Sequence, residues 1–370
     1  MRVAILGAGG TIAPAIVRDL AESEEAEELL LLDIDESRAR AVAERHGGPA
    51  ARAAQVDARR EPGAEASLDS ALEGVDVLVN SASYRINLDA MAACLRAGCH
   101  YIDLGGLYWM TELQLELDRQ FERQGLVALL GMGSAPGKTN LMARMAADRL
   151  GGAPGSIHVA AAGRDLDPPD GFSVPYALQT LLDELTMKPV VVRDGSPQEL
   201  EPLAAGGAVD FGPPIGEGET IHTIHSEMRT FPDSFGCREA SFRLALSAEL
   251  LATLRELTTA PEEQVERRAR EALPPSASTV SVHLVEASAN GEAVRVRAVT
   301  EPMEEWGLGG GVVSTATPVA AAVRLLARGA IGERGVLPPE RCVDPVALFA
   351  ELEPRGCRVE VQALEEAGAR

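Results

Sequence analysis

The sequence predicts an α/β protein in which an N-terminal doubly wound parallel sheet precedes a second, α+β domain with a mixed, largely antiparallel sheet. Three observations carry this reading. Short apolar runs alternate with amphipathic stretches through the first part of the chain, the pattern of βαβ units on a parallel sheet. A glycine cluster, Gly7-Ala8-Gly9-Gly10, follows the first of those runs directly. Beyond Gly131 the texture changes, and apolar runs are separated by turn formers such as Asn290-Gly291, as antiparallel pairs require.

Strands are expected over 2–6, 29–33, 75–80, 100–103 and 126–130, with a weaker one near 53–57. Helices fill the intervals. The clearest covers 87–97, where Leu88, Met91, Ala92 and Leu95 recur at helical spacing and Gly98 supplies a stop. The cluster GMGSAPGKTN at 131–140 marks the domain boundary and opens a helix over 141–150. Strands at 157–162, 280–285 and 294–299 belong to the second domain, while 165–171 and 204–219 read as long surface loops rich in Pro, Gly and Asp. Near the end, Thr317-Pro318 is read as a helix start and Gly329 as its stop. The expected division is a dinucleotide-binding domain over 1–135, a substrate and dimerisation domain over 136–310, a helical return over 311–345 and a C-terminal tail over 346–370.

A chain of 370 residues exceeds the size at which one core stops growing, so two domains fit its length. The formal charge of −22 repels phosphate backbones and anionic lipid, which argues against nucleic acid and membrane surfaces as partners. No apolar run reaches the roughly eighteen residues of a membrane span without Gly, Pro or charge, and the start lacks a signal-peptide pattern, so a cytoplasmic protein is expected. The five cysteines are scattered and form no C-x-x-C pair, which fits reduced, buried thiols rather than a disulfide framework.

The glycine cluster sits between a strand and a helix, where glycines allow a tight turn and a helix N-terminus attracts a pyrophosphate. This is the Rossmann arrangement. Ile12 occupies the position where G-x-G-x-x-G has its last glycine, so the turn also reads as G-x-x-G-x-x-A through Gly7, Gly10 and Ala13. The expected cofactor contacts are Gly7, Gly9, Gly10, Thr11 and Ile12, then Asp33, Ile34 and Arg38 after the second strand. Asp57, Ser81, Ala82, Ser83, Asp103, Leu104, Gly133 and Pro136 follow later strands and complete the set. Asp33 suits ribose hydroxyls and favours NAD over NADP, although Arg38 could meet a 2′-phosphate. Asp35 reads as a helix N-cap.

The stretch Gly133-Ser134-Ala135-Pro136-Gly137-Lys138-Thr139 imitates a phosphate-binding loop, but the required first glycine is Met132. A resemblance accounts for it better. The glycine turn, Asn80-Ser81-Ala82-Ser83-Tyr84, Ala97-Gly98-Cys99-His100-Tyr101-Ile102-Asp103, Ala135-Pro136-Gly137-Lys138-Thr139-Asn140, Asp167-Pro168-Pro169, the KPVVVRDG stretch at 188–195, Ser314-Thr315-Ala316-Thr317-Pro318 and Gly335-Val336-Leu337-Pro338-Pro339-Glu340 occur in order. Together they resemble the saccharopine dehydrogenase family, in particular its shorter members similar to lysine 6-dehydrogenase. The resemblance implies NAD(P)-dependent redox chemistry at a carbon bearing nitrogen, with an amino acid or amine as substrate, a C-terminal helix returning to the Rossmann domain, and a homodimer. Lys138 departs from the apolar residue common there, and 172–176 (FSVPY) replaces a tyrosine- or tryptophan-rich strand.

Candidate chemistry gathers after the strand ends. Lys138 could take a proton from a substrate ammonium, hold a carboxylate, or be a solvated lysine at a helix start. Asp103 could bond the cofactor or a substrate amine, or cap its own strand. Arg229 aligns by resemblance with an arginine that looks like a carboxylate clamp, for which a bidentate guanidinium is suited; a surface ion pair is the plain alternative. Tyr176 could turn its hydroxyl into the same pocket or fill the core. His222 and His225 lack a third obvious ligand, so no metal is expected. A redox-inactive dinucleotide sensor, or an enzyme resembling homospermidine synthase that uses bound NAD internally, would share these features.

Overall fold

The computed structural model describes residues 1–61, 64 and 66–364. Contacts divide the chain into two units, each assembled from two separated stretches: 1–138 with 315–352, and 139–314 with 353–370.

The first unit holds β1 (Arg2–Leu6), β2 (Glu28–Asp33), β3 (Ala51–Gln55), β4 (Val77–Asn80), β5 (His100–Asp103) and β6 (Val127–Leu129), joined by a seventh strand, β15 (Gly335–Leu337), from late in the chain. The sheet order is β15-β6-β5-β4-β1-β2-β3 and every pairing is parallel. Parallel strands covered on both faces must be apolar throughout, and Val77–Asn80 is buried along its whole length, as are Val3 to Leu6 of β1. Leu6, Leu78, Tyr101 and Ala128 pack with Met91 and Cys94 of the helix Asn87–Ala97 and with Phe121.

The strand order reverses between β1 and β4. Connections leave these two neighbours in opposite directions, which opens a crevice at their carboxyl ends where doubly wound sheets bind ligands.

Helices Ala13–Ala21, Gly310–Ala327 and Pro345–Leu352 are tied by a charged network. Arg324, almost fully buried, donates from Nη1 to Asp19 Oδ1 at 2.8 Å and from Nε to Glu351 Oε2 at 2.6 Å. Arg328 bonds Glu351 at 2.5 Å and Glu25 at 2.6 Å. Gly310–Ala327 is long and apolar enough to cross a membrane by length and composition, yet 83% of it is buried inside the fold. It starts seven residues before the expected Thr317-Pro318, so Pro318 lies inside it. Its opening glycines serve close packing: a Cβ on Gly310 would lie 2.2 Å from the Thr300 carbonyl oxygen.

The second unit contains β7 (Ser156–Asp165), β8 (Val190–Arg193), β9 (Ser196–Glu199), β10 (Ala205–Asp210), β11 (Glu217–His222), β12 (Glu239–Ala245), β13 (Thr279–Ala289), β14 (Glu292–Thr300) and β16 (Cys357–Leu364). Their order is β10-β11-β12-β7-β13-β14-β16, with β8 pairing β12 and β9. Among the described strands of this sheet β12 and β7 pair in parallel and the other pairings are antiparallel, so the sheet is mixed and largely antiparallel.

Two expectations are corrected here. The loop expected over 204–219 contains β10 and the start of β11, an antiparallel hairpin whose register shift at Gly206 disguises its period of two. The tail expected from 346 is instead the end of a helix followed by β16, which pairs β14 from Thr300↔Cys357 to Ala293↔Leu364. Its alternation is muted because β16 lies at the sheet edge and is mostly exposed. Residues 365–370 of that expected tail lie outside the described residues.

Candidate functional site

In the first unit, the backbone leaves β1 through Gly7, held at φ +77, a left-handed conformation natural to glycine. A Cβ there would stand 2.7 Å from the Ala82 backbone, so the turn after β1 and the loop after β4 approach as only glycine permits. Gly7 and Ala8 donate to the Leu32 carbonyl at 2.8 and 3.1 Å, and Gly10 donates to the Gly7 carbonyl at 2.9 Å. Asp33 anchors the same turn. Its Oδ2 accepts from Gly9 N at 2.8 Å and its Oδ1 from Asp35 N at 3.0 Å. Arg38 reaches back to the Gly9 carbonyl at 2.5 Å.

Ile12 is the N-cap of the helix Ala13–Ala21 and supplies no side-chain cap, with Pro14 in its first turn. Thr11 and Ile34 are exposed beside it. Ser81 closes the neighbouring loop, its Oγ donating to the Leu6 carbonyl at 2.8 Å, while Ala82 N donates to Asn80 Oδ1 and Ser83 caps the short turn that follows. Gly7 to Ile12, Asp33, Ile34, Arg38 and Ser81 to Ser83 therefore share the carboxyl edge of β1, β2 and β4. Asp57 stands apart in the loop after β3, where its Oδ1 accepts from Arg59 N.

Asp103, at the end of β5, is a hub rather than a free carboxylate. Oδ2 accepts from Gln114 Nε2 at 2.7 Å, Tyr101 OH at 3.0 Å and Asn87 Nδ2 at 3.1 Å; Oδ1 accepts from Gly131 N at 2.6 Å and Gly105 N at 3.0 Å. Burial pushes its carboxyl above the usual range against the pull of these donors. Asp103 locks the loops after β5 and β6, the former carrying Leu104. Those five donors lie scattered from 87 to 131, which hid them from local reading.

The phosphate-loop lookalike folds on itself. Gly137, at φ +120, packs so closely that a Cβ would lie 2.4 Å from the Gly133 carbonyl oxygen, and Lys138 N donates to that oxygen at 2.9 Å. Pro136 is buried against Gly131, and Ser134 Oγ lies 3.2 Å from Thr315 Oγ1. Lys138 is fully buried, so the solvated-lysine alternative is excluded.

In the second unit, Tyr176 donates to Glu184 Oε2 at 2.6 Å, from a half-buried position. Glu184 lies in the helix Leu178–Thr186 beside the apolar stripe Leu178, Leu181, Leu182 and Leu185. Burial pushes its carboxyl up, partly offset by His225 and by the Tyr176 bond. His225 stacks on Phe242, with ring centroids 3.4 Å apart, and its Nδ1 stands 3.4 Å from Glu227 Oε2 without hydrogen-bond alignment. Burial works against charging this imidazole, but the carboxylates of Glu227 and Glu184 outweigh it and raise its pKa. Glu227 is fully buried, and its other oxygen accepts from Thr139 Oγ1 at 2.9 Å. Arg229 pairs with Asp233 at 2.7 Å one helical turn away. His222 lies apart on β11, its Nδ1 3.2 Å from the Phe242 carbonyl oxygen.

Glu184, Glu227 and Thr139 were not singled out from sequence. The available signal was an Asp183-Glu184 pair within an apolar helical stripe, and a glutamate two residues after a histidine at a helix start.

Residues 3–129 match the family model described as the saccharopine dehydrogenase NADP binding domain. Carboxyaminopropylagmatine dehydrogenase from Synechocystis sp. is 26% identical over 271 residues, which is 69% of this chain and 65% of that protein's length. Apo saccharopine dehydrogenase (L-Glu forming) from Saccharomyces cerevisiae superposes with a TM-score of 0.70 at 15% identity, covering 98% of this chain and 99% of that one, a likeness of fold. The first unit thus carries a match to the saccharopine dehydrogenase NADP binding domain, and the chain shares the fold of saccharopine dehydrogenase.

Proposed function

We propose that the protein is an NAD(P)-dependent dehydrogenase acting on the CH–NH group of an amino acid or amine. The observation that carries this reading is the match of residues 3–129 to the family's dinucleotide-binding domain, with the glycine turn held at the strand-order reversal. The dinucleotide fits this edge. Gly7, Gly9 and Gly10 put no side chain in the way at this partly exposed turn, and the uncapped start of Ala13–Ala21 favours a pyrophosphate. Gly7 to Ile12, Asp33, Ile34, Arg38 and Ser81 to Ser83 would hold the cofactor, which supplies a hydride acceptor or donor when bound.

Oxidation removes a hydride from the carbon and a proton from the nitrogen, leaving an imine; reduction reverses both. Lys138, Asp103, Tyr176 and Arg229 are our candidates for moving that proton and orienting the substrate. The relative named for carboxyaminopropylagmatine supports a substrate carrying both amine and carboxylate. A homodimer in the cytoplasm completes the proposal, and the five buried, free cysteines suit a reducing compartment.

The test is cofactor absorbance at a saturating amine or amino acid, with NAD and NADP, in both directions. Turnover of an amine-bearing substrate is expected. Silence across amino acids, diamines and carboxylated polyamines, from folded protein that binds dinucleotide, would overturn the assignment.

We assign the cofactor preference to Asp33, whose carboxylate repels a 2′-phosphate. Asp33→Asn keeps an acceptor for Gly9 N and removes the charge. The ratio of NADP to NAD dissociation constants should fall about tenfold, equivalent to roughly 1.4 kcal/mol. Titration of protein fluorescence reads it, and an unchanged ratio removes Asp33 from the choice.

A further inference from the structure

We infer that β16 is a self-association surface: it pairs with β16 of a second copy of this chain, antiparallel about a twofold axis at Val359, so that two mixed sheets join edge to edge. This rests on the homodimer proposed above, gives it a location, and is independent of the dehydrogenase reading.

The first argument is the edge itself. Among the described residues β16 ends its sheet and pairs with β14 alone. Its eight residues follow β14 without a register shift and contain no proline. Such an edge displays a row of unpaired N–H and C=O groups, and natural sheets blunt it with bulges, proline or very short strands. The other edge strands are blunted in these ways. β10 carries a register shift at Gly206, β9 contains Pro197, and β3 and β15 have five and three residues.

The second argument is an apolar row that runs out uncovered. Val359, Val361 and Ala363 stand opposite Ala298, Val296 and Val294 of β14. Those three β14 residues are buried, whereas Val361 is 43% exposed and Ala363 is exposed as well. A second β16 sets its own valines beside this rim and continues the row.

Charge then selects the partner and the register. Alternate residues of a strand turn their backbone groups to the same side, so β16 meets its copy with odd-numbered residues opposite odd-numbered ones. An axis at Glu360 opposes two like carboxylates, and an axis at Val361 sets Arg358 opposite Leu364. The axis at Val359 sets Arg358 opposite Glu360, and the twofold repeats that pair. Both side chains lie on the face that bears Gln362, 73% and 74% exposed. Each has an ion pair within the chain, Arg358 with Glu301 at 3.2 Å and Glu360 with Arg297 at 4.0 Å. The five donors of a guanidinium and the two oxygens of a carboxylate accommodate a further partner.

The test is sedimentation equilibrium of the full-length protein, where a dimer is expected. Arg358→Glu and Glu360→Arg each turn two attractive pairs into two repulsive ones, so each should raise the dimer dissociation constant at least about tenfold. The double variant restores opposite charges and should return within about threefold of the wild type. Val359→Cys places two thiols across the axis at about 4.5–5.5 Å between Cα atoms, within disulfide reach, and a mild oxidant should link the dimer covalently. The five native cysteines are buried and supply the control. A monomer at every concentration overturns the inference and the homodimer together. A dimer that ignores both single substitutions, a double variant that does not recover, or a Val359→Cys dimer that resists linking overturns the β16 interface alone. Turnover of an amine, or its absence, bears on the dehydrogenase reading and on neither of these.

Discussion

Replacing Asp103 by alanine is expected to lower the stability of the protein by about 3–5 kcal/mol, because five donors lose their acceptor at once. Asn87, Tyr101 and Gln114 can partly rearrange among themselves, since their side chains already meet: Asn87 Nδ2 lies 3.3 Å from Gln114 Oε1. The backbone N–H groups of Gly105 and Gly131 cannot follow, and each stranded one costs roughly 1–3 kcal/mol. Asp103→Asn retains one acceptor oxygen and turns a donor toward the others, so it should fall between the wild type and alanine. Urea denaturation followed by circular dichroism measures the series. A loss below about 1 kcal/mol for alanine would show that the loops after β5 and β6 hold themselves together without the hub.

The second large effect belongs to Arg324. Arg324→Met should destabilise the protein by about 3–5 kcal/mol, because the fully buried Asp19 then loses the guanidinium at 2.8 Å. Glu351 suffers less, since Arg328 still reaches it and it is partly solvated. The double variant Arg324→Met with Asp19→Leu separates pairing from packing. Removing both charges should recover much of the loss, as buried ion pairs replaced by apolar groups often cost little. A double variant as unstable as the single one would mean that Arg324 matters through its contacts and volume rather than as the partner of Asp19.

The fold was legible where the information is local. In the first unit the apolar runs, the glycine turn and the Gly98 stop each act within a few residues, and all six early strands fall within a few residues of their expected places. Legibility failed where partners are distant. Asp103 reads the same in sequence whether it faces a ligand or five donors, because those donors come from 87, 101, 105, 114 and 131. Tyr176 stands out in sequence as one of few aromatics, whereas its partner Glu184 reads as one acid among many. The hairpin of β10 and β11 hid behind Gly206 and Gly207, the one closely packed and the other at positive φ. Thr317-Pro318 misled because proline at a first helical turn and proline inside a helix look alike when the glycines upstream are taken for loop.

The late strand β15 also governs when this protein can fold. Its partner β6 ends at Leu129, but Gly335–Leu337 emerges from the ribosome some two hundred residues later. Until then the nascent sheet ends on a strand with unpaired backbone groups, the situation that invites edge-to-edge association. Each doubling of such a loop adds only about 0.6 kcal/mol to closure, so the delay is a hazard of timing more than of final stability. Synthesis that stalls before residue 335 would therefore release chains whose dinucleotide-binding sheet is open along β6, a natural docking place for chaperones or for other unfinished copies.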